Sequence, residues 1–237
     1  MSAPPVDVLY WGRERARTGS WRGEAAVAFL NPLPDAPHPS PEFLRRCLAT
    51  LAERGFTRVV TGALSPPEQA GFLAVGFDVA ERLHLLALDL TQGLPPVPEG
   101  PRRQRVRARR RADVLGVDAA AFPNFWGFDD RALADALAAT PQTRIRMLCP
   151  EGEVLGYGIC GRTGARGFVQ RLAVDPSHQG QGLGRLLLLD GLHWMVRRGV
   201  HSVVVNTQFN NGAALSLYAG VGFREEPSGL SVLSAGL

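Results

Sequence analysis

The sequence predicts an α+β protein: a mixed central sheet flanked by helices over its second half, preceded by a partial copy of the same pattern. Three observations predict it. Beyond residue 104 the apolar spacing switches repeatedly between strand and helix periods, in the order βααβββαβαβ. A Pro/Gly-rich stretch, TQGLPPVPEGPRR (91–103), lies mid-chain and reads as a linker. Finally, RGFTRVVTGALSPPEQAGFLAVGF (54–77) echoes RGVHSVVVNTQFNNGAALSLYAGVGF (198–223). Both run helix end, Arg-Gly, strand, loop, short helix, Gly-Phe, the mark of an internal repeat. The expected organisation is a degenerate half domain over 1–93, a linker over 94–103 and a complete domain over 104–237.

Each element has its own signal. EAAVAFLNPL (24–33) reads as a strand and SPEFLRRCLATLAERGF (40–56) as a helix, followed by the first repeat copy. After the linker, Val106 and Ala108 alternate with Arg105, Arg107 and Arg109, the period of a strand with one wet face. Val114, Val117, Ala121 and Phe122 stand at helical spacing, and 129–140 is a second helix with Asp129 and Asp130 in its first turn. TRIRMLCP and VLGYGICGR are strands parted by the turn Glu151-Gly152, and GFVQRLAV (167–174) is a third. LGRLLLLDGLHWMVRRG (183–199) is a helix closed by Gly199. VHSVVVNTQ is a buried strand, 211–223 a helix running into a turn, and the tail from Arg224 a last strand.

Composition bounds the classes. The 237 residues are 45% hydrophobic and 20% charged, ordinary for a globular protein with a real core. No apolar run approaches the roughly 18–20 residues of a bilayer span. The opening MSAPPVDVLYWGRER lacks the basic and apolar regions of a secretory signal. Cys47, Cys149 and Cys160 suggest neither a disulfide framework nor a metal site. The expectation is a cytoplasmic protein without metal and without a membrane partner. Every basic residue is Arg, with no Lys, in keeping with the Ala, Gly and Pro content of a GC-rich genome. Seven Arg fall in residues 102–111, but no aromatic is interleaved to stack on bases, which argues against nucleic acid.

The chemistry gathers at VDPSHQGQGLGRLL (174–187). Gly180, Gly182 and Gly184 follow a strand and open a helix. Such a loop bends sharply and aims bare N–H groups at an anion, first of all a phosphate. No Gly-Lys-Ser/Thr follows, and there is no Lys anywhere, which makes an NTPase phosphate loop a poor third reading. The corresponding place in the first copy, PLPDAPHPSP (32–41), has five prolines and no glycine. Proline removes the donors an anion needs, so the first half is expected to be structural.

Residues 105–226 resemble the GCN5-related N-acetyltransferase (GNAT) family. Gln179, Gly182 and Gly184 fill its Gln/Arg-x-x-Gly-x-Gly/Ala loop, Val174-Asp175-Pro176 fills the preceding Val-x-Pro, and Asn211, Ala214 and Tyr218 precede Gly222-Phe223 in a looser match. The resemblance implies a GNAT fold and direct acyl transfer from acetyl-CoA to an amine. It implies that the amides of Gln179, Gly180, Gln181, Gly182, Leu183, Gly184 and Arg185 hold the pyrophosphate, and that the Arg185 side chain is available to a phosphate. It also implies that the strand end Leu172-Ala173-Val174 pairs with the pantetheine arm and supplies an oxyanion donor near Val174. Asn211 would bond pantetheine or cap its helix, and Tyr218 would protonate the leaving thiolate.

The base has no clear place. Asn206 stands where N-terminal-amine acetyltransferases carry a Glu, and Phe168 where histone-type members do. Gln170 and Gln208 are uncharged; Asp129 and Asp130 are candidates that double as helix caps. His178, in the loop, reads as a surface residue, and His193 and His201 match no motif. FPNFWGFDD (122–130) packs four aromatics between Phe122 and Phe128, an apolar floor for an acceptor or a core contact. The acceptor is then a small-molecule or peptide amine, and a homodimer is left open. The competing reading is a non-catalytic acyl-CoA-binding regulatory protein.

Overall fold

The computed structural model describes residues 7–123 and 125–237. The first residues of the opening read above for a signal, 1–6, and Asn124 within the aromatic segment lie outside them. In chain order the elements are β1 (Asp7–Trp11), β2 (Glu14–Trp21), β3 (Glu24–Pro32), α1 (Pro41–Glu53), β4 (Arg58–Leu64), α2 (Pro66–Leu73) and β5 (Asp78–Asp89). There follow β6 (Arg103–Arg105), α3 (Arg111–Ala121), α4 (Asp130–Ala138), β7 (Gln142–Leu148), β8 (Gly156–Thr163) and β9 (Arg166–Val174). The last are α5 (Leu183–Val196), β10 (Ser202–Gln208), α6 (Gly212–Ala219), β11 (Arg224–Glu225) and β12 (Leu230–Gly236).

Two compact units form, and they are not the two pieces on either side of 94–103. The first comprises residues up to Leu85 with Asn206–Asn210 and Glu226–Leu237; the second comprises Leu86–Val205 and Asn211–Glu225. The reason is strand pairing. β12 runs antiparallel to both β4 and β5, so the last strand of the chain is built into the first unit.

In the first unit β1, β2 and β3 form an antiparallel meander. The β2–β3 turn is Arg22-Gly23, both at positive φ, the hairpin geometry that matches strand twist. β3 then pairs in parallel with β4, α1 making the crossover. The core joins Phe43, Leu44, Cys47 and Leu51 of α1 and Phe72 of α2 to Ala16, Ala28, Leu30, Val59 and Leu233. Ser40 caps α1, its Oγ accepting from the Phe43 N–H at 3.2 Å, and the Glu14 carboxylate accepts both the Ser40 N–H and its hydroxyl.

In the second unit the strands run β10-β9-β8-β7-β6, parallel between β9 and β10 and antiparallel elsewhere. Alternation sends neighbours to opposite faces. Met147, Ile159 and Ala173 meet α3 and α4, whereas Leu148, Cys160 and Val174 face α5. α5 rides close because Gly191 sits over the Cys160 thiol, where a Cβ would be 2.4 Å from Sγ. Burial pushes that thiol up to about 12.

The repeat is realised in detail. Helices α1, α5, α2 and α6 all end in the same left-handed cap, with Gly55, Gly199, Gly76 and Gly222 at positive φ. Each following residue donates back five positions: Phe56 to Leu51, Val200 to Met195, Phe77 to Phe72 and Phe223 to Tyr218, at 3.1–3.2 Å.

The arginine run departs from the expected strand. Only Arg103–Arg105 pairs as a strand; Ala108–Arg110 forms a 3-10 turn leading into α3. Arg110 causes the bend, donating to the Gly152 carbonyl at 2.6 Å and pairing with Asp113 at 3.0 Å.

A chain ending at Glu225 lacks the strand between β4 and β5. It should lose hydrogen-exchange protection over Val59–Leu64 and keep it over Gly158–Leu172; unchanged protection in both would show β12 to be dispensable.

Candidate functional site

The site begins with the way β9 ends. Its pairing with β10 stops at Val204 opposite Phe168, while its pairing with β8 continues to Val174. A bulge falls between: Ile159 faces Arg171 and Cys160 faces Val169, leaving Gln170 as the extra residue. A bulge bends its strand and sharpens the local twist. Leu172, Ala173 and Val174 are thus held along one edge by β8 and open along the other. Among the described residues, the Oε1 of Gln170 is buried without a hydrogen-bond partner.

The chain then turns at once. The Asp175 carboxylate accepts from the Ser177 N–H at 2.9 Å and from its hydroxyl, which holds Asp175 below the usual carboxylate range. The Gln179 amide reaches back to the Val174 carbonyl at 3.1 Å. Gly180 and Gly182 take φ of 76° and 80°, and Gly182 stands at the N-cap of α5 without a side-chain cap. Among the described residues, the N–H groups of Gly180, Gln181, Gly182, Leu183, Gly184 and Arg185 meet no protein acceptor; that of Gln179 donates weakly to Pro176 at 3.4 Å. Successive free donors at a helix N-terminus make a seat for an anion, and the helix dipole adds to it.

The remaining expected residues have the following surroundings. Gly184 packs against Leu217 and Val174. Arg185 donates through Nη1 to the Gly220 carbonyl at 2.9 Å, tying the first turn of α5 to the end of α6. Asn211 caps α6, accepting from the Ala214 N–H at 3.1 Å. Tyr218 is 5% exposed, in the core with Cys160, Leu188, Val205 and Phe223. Desolvation raises its phenol above the ordinary tyrosine range, and Cys160 adds to the shift. Among the described residues its hydroxyl makes no hydrogen bond.

Other candidates have plainer surroundings. Asp129 caps α4, accepting from the Ala132 N–H at 2.7 Å. His178 bonds the Ser177 hydroxyl, and His193 bonds the Pro95 carbonyl at 2.8 Å, pinning the linker to α5. Asn206 and Gln208 belong to the first unit. Among the described residues no group of three His, Cys, Asp or Glu is placed to hold a metal, and no helix is long and apolar enough to cross a membrane.

One cluster was not foreseen from the sequence. Asp118 of α3 is fully buried and accepts from the Tyr157 hydroxyl at 2.5 Å, from Nε and Nη2 of Arg171 at 2.7 Å each, and from the Phe128 N–H at 2.6 Å. The available signal was an acid one step from Val117 on the core face of α3, and an arginine within a buried strand.

Against known families, residues 113–223 match the acetyltransferase (GNAT) family. Residues 113–223 are a GNAT acetyltransferase domain. Among curated relatives, mycothiol acetyltransferase of Nocardioides sp. is 31% identical over 173 residues, covering 62% of this chain and 59% of that protein. Mycothiol acetyltransferase of Gordonia bronchialis is 33% identical over 196 residues, covering 73% and 61%. The chain therefore spans about three fifths of the length of these relatives. A tandem GNAT protein from the clavulanic acid biosynthesis pathway superposes with a TM-score of 0.70 at 18% identity, over 94% of this chain and 78% of that one. That likeness is one of fold, and the GNAT fold with an additional N-terminal part fits both units.

Gly182→Ala puts a Cβ into a left-handed backbone, a strain of about 1–2 kcal/mol. It should weaken acetyl-CoA binding roughly 5–30-fold by calorimetry; unchanged affinity would remove the loop from the cofactor site.

Proposed function

We propose that this chain transfers an acetyl group from acetyl-CoA to the amine of a small molecule by direct attack. The observation that carries the reading is the open edge of β9 running straight into the free N–H groups of 180–185. A strand edge suits the amide-bearing pantetheine arm, and the donors at the head of α5 suit its pyrophosphate. The residues present fit that cofactor: glycine where the backbone must be left-handed and, among the described residues, no side-chain cap and no carboxylate bonded to the donors.

When bound, acetyl-CoA supplies the thioester that is broken. The amine nitrogen gains a bond to the acyl carbon, the C–S bond breaks, the nitrogen loses a proton and the sulfur takes one. Backbone N–H groups near Val174 are assigned to the thioester carbonyl, where charge develops. Tyr218 is assigned the proton delivered to sulfur. Its buried site keeps the phenol protonated, which is the state a donor needs. Asn211 keeps the start of α6, and with it Tyr218, in register. Asp129 is engaged as a cap and Asp118 as an ion pair, so neither is assigned as base; the amine is taken up neutral and gives its proton to water.

The relatives' name points to an acceptor of the mycothiol kind, which we propose as the first substrate class to assay. The domain assignment follows the same reading: one acyl-CoA site in the second unit, with the first unit structural. Cytoplasmic location and a peptide amine as alternative acceptor belong to the proposal as well.

Tyr218→Phe should lower kcat by about 100-fold or more while leaving acetyl-CoA affinity unchanged. A raised phenol pKa keeps the acid form to higher pH, so kcat at saturation should show no fall from Tyr218 up to about pH 10. A Phe variant with the parent rate would take the proton from another donor.

A further inference from the structure

The repeat exposes a strand edge that one unit covers and the other leaves bare. β1-β2-β3-α1 of the first unit repeats β7-β8-β9-α5 of the second. In the second, β6 lies antiparallel along the outer edge of β7. It sends Arg103 across to α5, where the guanidinium meets Asp190 at 3.6 Å, beside Arg144 of β7 at 2.8 Å. The space there is nearly filled, a cavity of about 10 Å³ between β7 and α5. In the first unit, among the described residues, β1 pairs with β2 alone. The same place, lined by Leu9, Trp11, Phe43, Arg46, Cys47 and Arg54, is an open cavity of about 310 Å³.

The bare edge carries no guard against another strand. β6 is three residues long, bears Arg103 and Arg105 and follows Pro101, all features that blunt an edge. β1 is five residues, Asp-Val-Leu-Tyr-Trp, with Val8, Tyr10 and Trp11 41%, 77% and 44% exposed. Its one charge, Asp7, accepts from Nη2 of Arg54 at 2.8 Å. The backbone is set for a partner as well. The Val8 N–H donates to the Asp7 carboxylate at 2.8 Å instead of to β2, so by alternation Val8 and Tyr10 present their backbone groups along the outer edge.

Arg46 indicates what the covering strand must bring. It stands nine residues before the capping Gly55 of its helix, as Asp190 stands nine before Gly199. The charge at this position is inverted. Where Asp190 takes an arginine from the covering strand, Arg46 lies over the Trp11 ring, 3.4 Å from its centre, with the exposed Glu42 at 3.3 Å. The matching strand for the first unit carries an acid on the face toward α1, and β1 itself does so. Asp7, Leu9 and Trp11 meet α1 through Arg54, the core and Arg46. Two β1 strands laid antiparallel about Leu9 set Val8 opposite Tyr10, both with outward backbone groups, and Asp7 opposite Trp11, beside Arg46.

We propose that a second copy of this chain covers the edge. β1 pairs with β1 of the partner copy about a two-fold axis at Leu9, and Asp7 of each copy meets Arg46 of the other. Each copy supplies the strand and the acid that the other lacks. The inference does not depend on the acyl-transfer reading.

The test uses the full chain in sedimentation equilibrium. The parent should dimerise with a dissociation constant on the order of 10 μM, as suits a small contact. Arg46→Asp alone places acid against acid at both ends of the pairing, and Asp7→Arg alone places base against base; each should weaken dimerisation about tenfold or more. An equimolar mixture of the two variants restores opposite charges at both ends and should recover the parent affinity. In the parent, hydrogen exchange at Val8 and Tyr10 should slow as concentration rises through the dissociation constant, a readout that needs no variant to fold. A parent that stays monomeric at millimolar concentration would overturn the proposal and leave the edge to a strand of another protein. So would a dimer that both variants leave intact, a mixture that fails to recover, or a dimer whose Val8 and Tyr10 amides exchange as in the monomer.

Discussion

The site depends on one strand having two different edges. Up to Phe168, β9 is bonded on both sides; beyond it, only β8 holds it. If the pairing with β10 continued to Val174, the backbone groups of Leu172–Val174 would be spent within the sheet and nothing could lie along them. The extra residue at Gln170 marks where the strand changes course. The same edge fixes where the loop starts, because Asp175 bonds the Leu155 carbonyl at 2.9 Å and Gln179 bonds the Val174 carbonyl. The open edge, the turn and the head of α5 thus follow in strict sequence, and the donor strand and the anion seat are positioned by the same few hydrogen bonds.

The first unit repeats the scaffold and differs at each chemical position. Its helices end in the same positive-φ glycine and five-back hydrogen bond as those of the second unit, so this backbone device is shared. At the head of α1, however, Ser40 and the Glu14 carboxylate take up the donors that Gly182 leaves bare in front of α5. Where the second unit carries Tyr218 in its cap, the first carries Phe72, with no hydroxyl. Where Asn211 caps α6, Ser65 caps α2. A carboxylate already at the helix head would repel an anion there, which is the physical basis for proposing the chemistry in one unit.

Much of this was legible because it is local. The glycine loop, the Gly-Phe turns and the N-caps are set by residues a few positions apart, and spacing alone identifies them. Non-local pairing was not legible. β12 looks like any terminal strand, and nothing in LSVLSAG says that it lies between β4 and β5. β1 escaped notice because it is a short, five-residue run at the start of the described chain, and β2 and β5 because they mix charged with apolar residues without clean alternation. The arginine run alternated like a strand until Arg110 met a carbonyl presented by the tight turn at Glu151-Gly152. The Asp118–Arg171 pair joins residues 53 apart, and each looks unremarkable in its own segment. Only burial, 0% for the carboxylate, reveals that the two must belong together.

The central claim is that the amides of 180–185 hold a pyrophosphate, with the edge of β9 beside them holding the pantetheine arm. Hydrogen exchange read at single-residue resolution, with saturating coenzyme A or saturating pantetheine, tests it most directly. Coenzyme A should protect the amides of Gly180 to Arg185 and those along Leu172–Val174, whereas pantetheine, which lacks the pyrophosphate, should protect only the strand. Protection of 180–185 by neither ligand, or equally by both, would contradict the account.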